Sequence, residues 1–305
     1  MAMLDAVLLI GFGGPTRRDE IRAFLDNVLR GRPVPKERYE EVVHHYEAMG
    51  GRSPYNDLTM RQADALRSRL RAEGIAIPVI VGMRNWNPYI LDAMRELTGN
   101  RAKKVLGFIL AAHRCEASWE RYQAAIDDAR ATIGSDAPRF EYPAPWHTHP
   151  KFIEAVVART SEAFEKLDPS DRKNAELIFT AHSIPIVMAK ESGYEAQIRA
   201  SARLVASRID RPSWKLAFQS RSGSPRDPWL EPDIGEVIRK LDGRPTIVVP
   251  IGFLCDHVEV LYDLDIAATN IARESGVKMI RVATVGDHPA FIEMMVQIVR
   301  ENLNR

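Results

Sequence analysis

Seven short runs of β-branched and apolar residues punctuate the chain: "AVLLIGF" (6–12), "PVIVG" (78–82), "KVLGFIL" (104–110), "ELIFTAH" (176–182), "KLAFQ" (215–219), "TIVVPIGF" (246–253) and "KMIRVAT" (278–284). They lack the strict alternation of a half-exposed strand, so each reads as a strand buried on both faces. Longer segments of helical period separate them. In "TMRQADALRSRLRAEG" the apolar positions Met60, Ala63, Leu66 and Leu70 recur at three- and four-residue steps, with Thr59 as the expected N-cap and Gly74 as the stop. Buried strands joined by helices predict parallel sheets covered on both faces, an α/β, doubly wound class.

The stretch "GSDAPRFEYPAPWHTHP" (134–150) is rich in Pro and Gly and falls near the middle of the chain. It is read as the passage from an N-terminal α/β lobe, 1–137, to a C-terminal one, 138–305. The final helix, about 289–305, has no following strand and can pack on either lobe, the N-terminal one included. Two loose echoes bear on the arrangement: "LLIGFGGP" with "IFTAHSIP", and "VLGFILAAH" with "IVVPIGFLCDH". They fit either an internal duplication or the general likeness of strand ends.

Composition narrows the function classes. Lys and Arg number 42 against 41 Asp and Glu, a formal charge of +1, so no global field favours nucleic acid or an anionic membrane. Any anion must be met by local arginines. Cys115 and Cys255 stand far apart in no CxxC spacing, which argues against a disulfide framework, a zinc ribbon or a cysteine-held cluster and points to a reducing cytoplasm. The start "MAMLDAVLLIGFGGP" has no basic leader and reads as a first strand. Nowhere do about 18 apolar residues run together as a membrane-spanning helix needs.

In open α/β sheets, ligands bind beyond the carboxyl ends of the strands. Phe12, Gly13 and Gly14 follow the first run, His113 the third, His182 the fourth, Gln219 and Ser220 the fifth, and Asp256, His257 and Glu259 the sixth. A lone histidine at a strand end is usually a hydrogen-bonded packing residue; convergence of several such groups weakens that reading. "GFGGP" is not a dinucleotide fingerprint, because Pro15 falls where helix donors should begin. "GGRSP" (50–54) offers an exposed turn in which Ser53 could meet carboxylates or phosphates, and "VLRGRPVPKER" (28–38) is a basic stretch that usually means a solvated loop. Neither "GFGGP" nor "QSRSGSP" makes a nucleophile elbow. His182 with a carboxylate such as Glu259 would suit a borderline divalent ion, with so few ligands that the metal would pass through rather than stay.

"HYEAMGGRSP", "FTAHSIP", "FQSRSGSPRDPWLEPDI" and "VVPIGFLCDHVEVLYDLD" resemble, in order and spacing, the signature blocks of ferrochelatases, and the resemblance covers essentially the whole chain. "FGGP", "RGRPVPKER", "GMRNWNPY" and "TVGDHPAFI" are most similar to the soluble bacterial branch that inserts iron into coproporphyrin III. The resemblance implies two Rossmann-like lobes with a porphyrin cleft between them. It implies that His182 meets the macrocycle face with Glu259 as its acidic partner, the two serving as catalytic and metal-binding residues. Ser53, Arg30, Tyr122, Ser220 and Phe12 fall on positions that line the cleft, and His113 lies near the same rim. It further implies Fe2+ as substrate, no organic cofactor, no iron–sulfur cluster, a cytoplasmic monomer, and transient contact with neighbouring haem-pathway enzymes.

Departures accompany the likeness. Phe12 stands where some relatives carry an iron-ligating tyrosine, a loss for which His113 is one substitute and a purely structural histidine the other reading. Asn85 replaces a His or Tyr of other branches. Asp263 is followed one turn on by Ala267, which removes a carboxylate from a secondary metal site. The rivals to coproporphyrin insertion are protoporphyrin IX insertion, cobalt insertion into a corrin precursor, a non-catalytic porphyrin or haem carrier, and a two-lobed small-molecule binder.

Overall fold

The computed structural model describes residues 4–222 and 227–303. Residues 223–226, within the block beginning "FQSRSGSP", lie outside the described residues. Among those described, eight strands form two four-stranded parallel sheets. The first contains β1 (Ala6–Gly11), β2 (Val79–Met83), β3 (Lys104–Ile109) and β4 (Arg139–Glu141), in the order β2-β1-β3-β4. The second contains β5 (Glu176–His182), β6 (Lys215–Gln219), β7 (Thr246–Val249) and β8 (Met279–Arg281), in the order β6-β5-β7-β8. Numbered within itself, each sheet has the same order, second, first, third, fourth. The two sequence echoes fall on matching places: the first pair ends β1 and β5, the second ends β3 and β7.

Two compact units contain these sheets. One runs to Leu110, resumes over Ala117–Ala144 and takes in the chain from Asp287; the other comprises Ala111–Glu116 and Pro145–Gly286. The chain therefore passes between units at 144/145, within the Pro- and Gly-rich stretch, and does so three times more, the last at 286/287 just ahead of the final helix.

Burial explains why the central strands read so clearly. Every residue of β1, β2 and β3 is buried, and β1 pairs on both sides, Val7 opposite Val79 and opposite Leu106. A strand covered on both faces needs no alternation. The edge strand β4 reads exposed, half-buried, exposed, which hides it inside a stretch taken as a connection. β7 stops at Val249 because Pro250 has no N–H to continue the ladder.

The helix Tyr55–Ala72 begins four residues before the expected N-cap, and Thr59 lies fully buried within it. Met60 is 39% exposed rather than part of the apolar face, which is made by Thr59, Gln62, Ala63, Leu66 and Leu70. Against this helix packs the last one, Pro289–Asn302, with Arg69 paired to Glu293 at 2.8 Å and Arg300 to Glu73 at 3.2 Å. Its start follows a familiar logic: Pro289 occupies the first turn, where a missing N–H costs nothing, and His288 Nδ1 accepts from Ala290 N–H at 3.2 Å.

In the second unit Ile178, Ala217 and Val248 of the sheet are covered by Val260, Leu264, Ala268 and Ala272. These four recur every four residues along Val258–Val260, a π-helical stretch Leu261–Ala268, and Thr269–Glu274. An α-helix with 3.6 residues per turn would rotate such a stripe steadily away from the sheet. The wider i→i+5 winding rotates it back, so the mixture keeps one straight face on the core.

The turn after β7 lies directly on the end of β5. Gly252 N–H donates to the Thr180 carbonyl at 3.1 Å, and a Cβ at Gly252 would stand 2.7 Å from Ala181 Cβ and 2.8 Å from Ala181 Cα. Gly252→Ala is therefore expected to lower unfolding free energy by about 1–3 kcal/mol through overpacking. A urea denaturation midpoint equal to wild type would show that this turn can yield.

Candidate functional site

The second unit gathers its reactive groups at the ends of β5 and β6. His182 and Gln219 are register partners, and Ser183 N–H donates to the Gln219 carbonyl at 2.7 Å. The turn beyond His182 is pinned from several sides. Ser183 Oγ donates to the Leu230 carbonyl at 2.8 Å, Leu230 N–H to Ile184 at 3.0 Å, and Ile186 N–H to Pro228 at 3.0 Å. Pro185 then caps the helix Ile186–Ser192. Tyr194, buried, reaches the His182 carbonyl at 3.4 Å, and burial holds its phenol well above the ordinary range.

The imidazole of His182 has one arrangement of protons that its neighbours allow. Nδ1 faces the Ser183 carbonyl, which can only accept, so Nδ1 carries a proton. Nε2 faces Glu259 Oε1 at 3.4 Å, with the His182 side chain 25% exposed and that of Glu259 37%. Burial would lower the His182 pKa. The charge and hydrogen bond of Glu259, the Ser183 carbonyl and the charge of Asp263 together outweigh it, and the value is raised. Nε2 is thus a basic atom whose protonated form is stabilised where it stands.

Glu259 opens the helix that lies on the sheet. His257 Nδ1 accepts from Glu259 N–H at 3.1 Å, which leaves the proton of a neutral His257 on Nε2, and burial lowers the pKa of His257. Gln219 Nε2 donates to the Glu259 carbonyl. Four residues on, Asp263 accepts from Ser220 Oγ. Ser220 has φ 63°, a left-handed conformation uncommon for a residue with a Cβ. Behind them Arg281 clamps both flanks of Glu259. It meets Asp265 at 2.6 and 2.8 Å and Asp256 at 3.2 and 3.3 Å, while Thr284 Oγ1 donates to Asp256 at 2.9 Å.

The first unit carries the other expected residues. Phe12 N–H donates to Tyr55 Oη at 3.0 Å, and its carbonyl accepts from Asn85 N–H at 3.0 Å and Asn85 Nδ2 at 3.2 Å. Arg30 ends the helix Ile21–Leu29 with φ 51° and is exposed. Tyr122 is buried, with the Arg84 guanidinium 5.7 Å from its ring centre. Burial first, then the charges of Arg30, Arg121 and Arg32, lower the Arg84 pKa, and its Nε is buried without a hydrogen-bond partner among the described residues. Arg30, Arg84 and Tyr122 thus belong to one basic cluster.

One sequence reading, the exposed turn at Ser53, needs correction. Ser53 is not in an exposed turn: it is 3% exposed, its N–H donates to Pro15, and its hydroxyl accepts from Tyr55 N–H at 3.2 Å. Gly14 packs so closely that a Cβ there would sit 2.7 Å from Ser53 Cβ. Of the two readings of His113, its 3% exposure fits the structural one; Ser201 Oγ donates to the His147 carbonyl at 2.7 Å and so accepts from His113 Nε2 at 3.0 Å. Burial and then His147 lower its pKa to about 3, which keeps the ring neutral. Ser220 Oγ donates to Asp263. Arg84 was missed altogether, and only its place after β2 could have marked it.

Among the described residues no group of three or more His, Cys, Asp or Glu side chains is disposed to hold a metal ion, and no helix is long and apolar enough to cross a membrane. What the second unit offers a cation is a two-sided contact, His182 Nε2 with the Glu259 carboxylate.

A family model described as Ferrochelatase matches residues 4–303. The ferrochelatase of Rhodopirellula baltica is 41% identical over 305 residues, which cover 99% of this chain and 87% of that relative. The coproporphyrin III ferrochelatase of Mycolicibacterium smegmatis is 37% identical over 306 residues, 98% of this chain and 90% of that one. The sirohydrochlorin chelatase of Bacillus subtilis subspecies spizizenii, solved in complex with cobalt, shares the fold at 14% identity and a TM-score of 0.60, covering 99% of this chain and 96% of its own. Matches that run the length of both sheets and take in His182 and Glu259 alike leave one assignment: the chain belongs to the ferrochelatase family.

Proposed function

We propose that the protein inserts Fe2+ into coproporphyrin III, with His182 Nε2 as the proton acceptor and Glu259 as its anionic partner. The observation that carries this reading is the His182–Glu259 pair at 3.4 Å, with Nδ1 committed to a backbone carbonyl. Metallation replaces two pyrrole protons by one divalent cation. His182 takes the two protons one after the other at Nε2, passing the first to solvent before accepting the second, and the adjacent carboxylate stabilises the imidazolium that forms. The same carboxylate attracts incoming Fe2+. No electron changes hands, so the scheme calls for no organic cofactor.

The choice of a four-carboxylate ring is supported by the arginine cluster. Like charges at Arg30, Arg32, Arg84 and Arg121 repel, and an anion beside them relieves that repulsion and supplies a partner for Arg84 Nε. The relatives named as coproporphyrin III ferrochelatases favour the same substrate. Protoporphyrin IX is the second reading, since the 41% identical relative is named for no particular porphyrin.

Anaerobic Fe2+ insertion with the two porphyrins in parallel tests the proposal. Coproporphyrin III turns over much faster than protoporphyrin IX, and His182→Ala lowers kcat by about 100-fold or more. Tight binding of either ring without turnover would make the protein a carrier, and equal turnover of both would remove the substrate assignment. Arg84→Met is expected to raise KM for coproporphyrin III by about tenfold, the worth of a charged hydrogen bond. An unchanged KM would take Arg84 out of the binding site.

The raised His182 pKa also sets a pH dependence of stability. The folded state holds this proton more tightly than the unfolded chain, so the contribution is complete below the ordinary histidine pKa of about 6.5 and is lost as pH rises through the raised value. Glu259→Gln removes the charge responsible. The stability advantage of wild type over this variant should therefore shrink as pH rises beyond about 6.5 in urea titrations; an advantage independent of pH would mean that the two groups are uncoupled.

A further inference from the structure

Gln219 does more than end a strand. It is 1% exposed, stands beside His182 in the register, and binds in two directions. Its main-chain carbonyl accepts from Ser183 N–H at 2.7 Å, and its side-chain Nε2 donates to the main-chain carbonyl of Glu259. One residue grips both the turn after the histidine and the residue whose carboxylate faces that histidine. On the other side of Glu259, the N–H is held by His257 Nδ1 at 3.1 Å, a neighbour two residues away that shifts with it. Gln219 supplies a polar tie from Glu259 to the sheet itself.

The far end of the same amide sharpens the point. Gln219 Oε1 is buried with no hydrogen-bond partner among the described residues. A buried acceptor without a donor is costly, and methionine would fill the same space without that cost. The amide is therefore explained by what its N–H does.

We propose that Gln219 is a positioning residue for metal insertion, holding the Glu259 backbone to the end of β6 so that the carboxylate stays against His182 Nε2. The kinetic side of this proposal rests on the ferrochelatase reading above; the structural side rests on the geometry alone.

Gln219→Met, close in shape but without the donor, tests both sides. A crystal structure of the variant should show the Glu259 carboxylate out of hydrogen-bond reach of His182. In steady-state insertion, kcat should fall about 10- to 100-fold, the usual effect of losing such a support, while KM for the porphyrin stays within about twofold. In a Glu259→Ala background the same substitution should add less than about a twofold loss, because its effect runs through Glu259. Gln219→Asn, one methylene too short to reach, should reproduce the split and keeps the test decisive if the Met variant does not fold. The proposal is overturned if the 3.4 Å contact of wild type persists in the variant, if the losses multiply in the double variant, or if only thermal stability changes. Should wild type insert iron into no porphyrin, the ferrochelatase reading fails, and the crystal structure still decides whether Gln219 positions Glu259.

Discussion

Parallel pairing is the constraint on which the rest depends. Each strand of a parallel sheet must be re-entered from the same end, so the carboxyl ends of all its strands open on one edge. β5, β6 and the turn after β7 accordingly deliver His182, Gln219 with Ser220, and Glu259 to a common place, from positions scattered across 78 residues of chain (182 to 259). Close approach then turns proximity into geometry. Gly252 against Ala181 leaves no room for slack between β7 and β5, and Arg281 fixes the chain on both sides of Glu259.

The two sheets repeat one topology and divide the chemistry. Strand ends and nearby helices of the first unit assemble Arg30, Arg32, Arg84 and Arg121; those of the second assemble Asp256, Glu259, Asp263 and Asp265. A formal charge of +1 hides these local clusters, because charges of both signs are spread along the whole chain and nearly cancel within each unit. That is why composition excluded a global field and was silent on local ones.

What could be read from sequence follows burial. β5 and β6 matched their apolar runs to the residue, since a doubly covered strand leaves an unbroken apolar signature. β4 was lost because an edge strand of three residues, two of them exposed, looks like loop. Thr59 misled because threonine favours caps in general, while here it is buried in mid-helix. Ser53 and His113 are both buried and hydrogen-bonded inside their own units, which their place in the chain alone does not reveal. Arg84 carried no signal of its own, because its meaning comes from other arginines brought near by folding. The π-helical winding was likewise invisible, although the four-residue spacing of Val260, Leu264, Ala268 and Ala272 is its cause.

For the insertion proposed above, the Ser183 carbonyl that meets His182 Nδ1 has a consequence for how the ring would carry a proton. With Nδ1 tied down, the ring accepts and surrenders a proton at Nε2 without turning over or changing tautomer. Only charge changes; the atoms stay where they are. Under that proposal little side-chain rearrangement would accompany each transfer, which is what a pre-organised base requires.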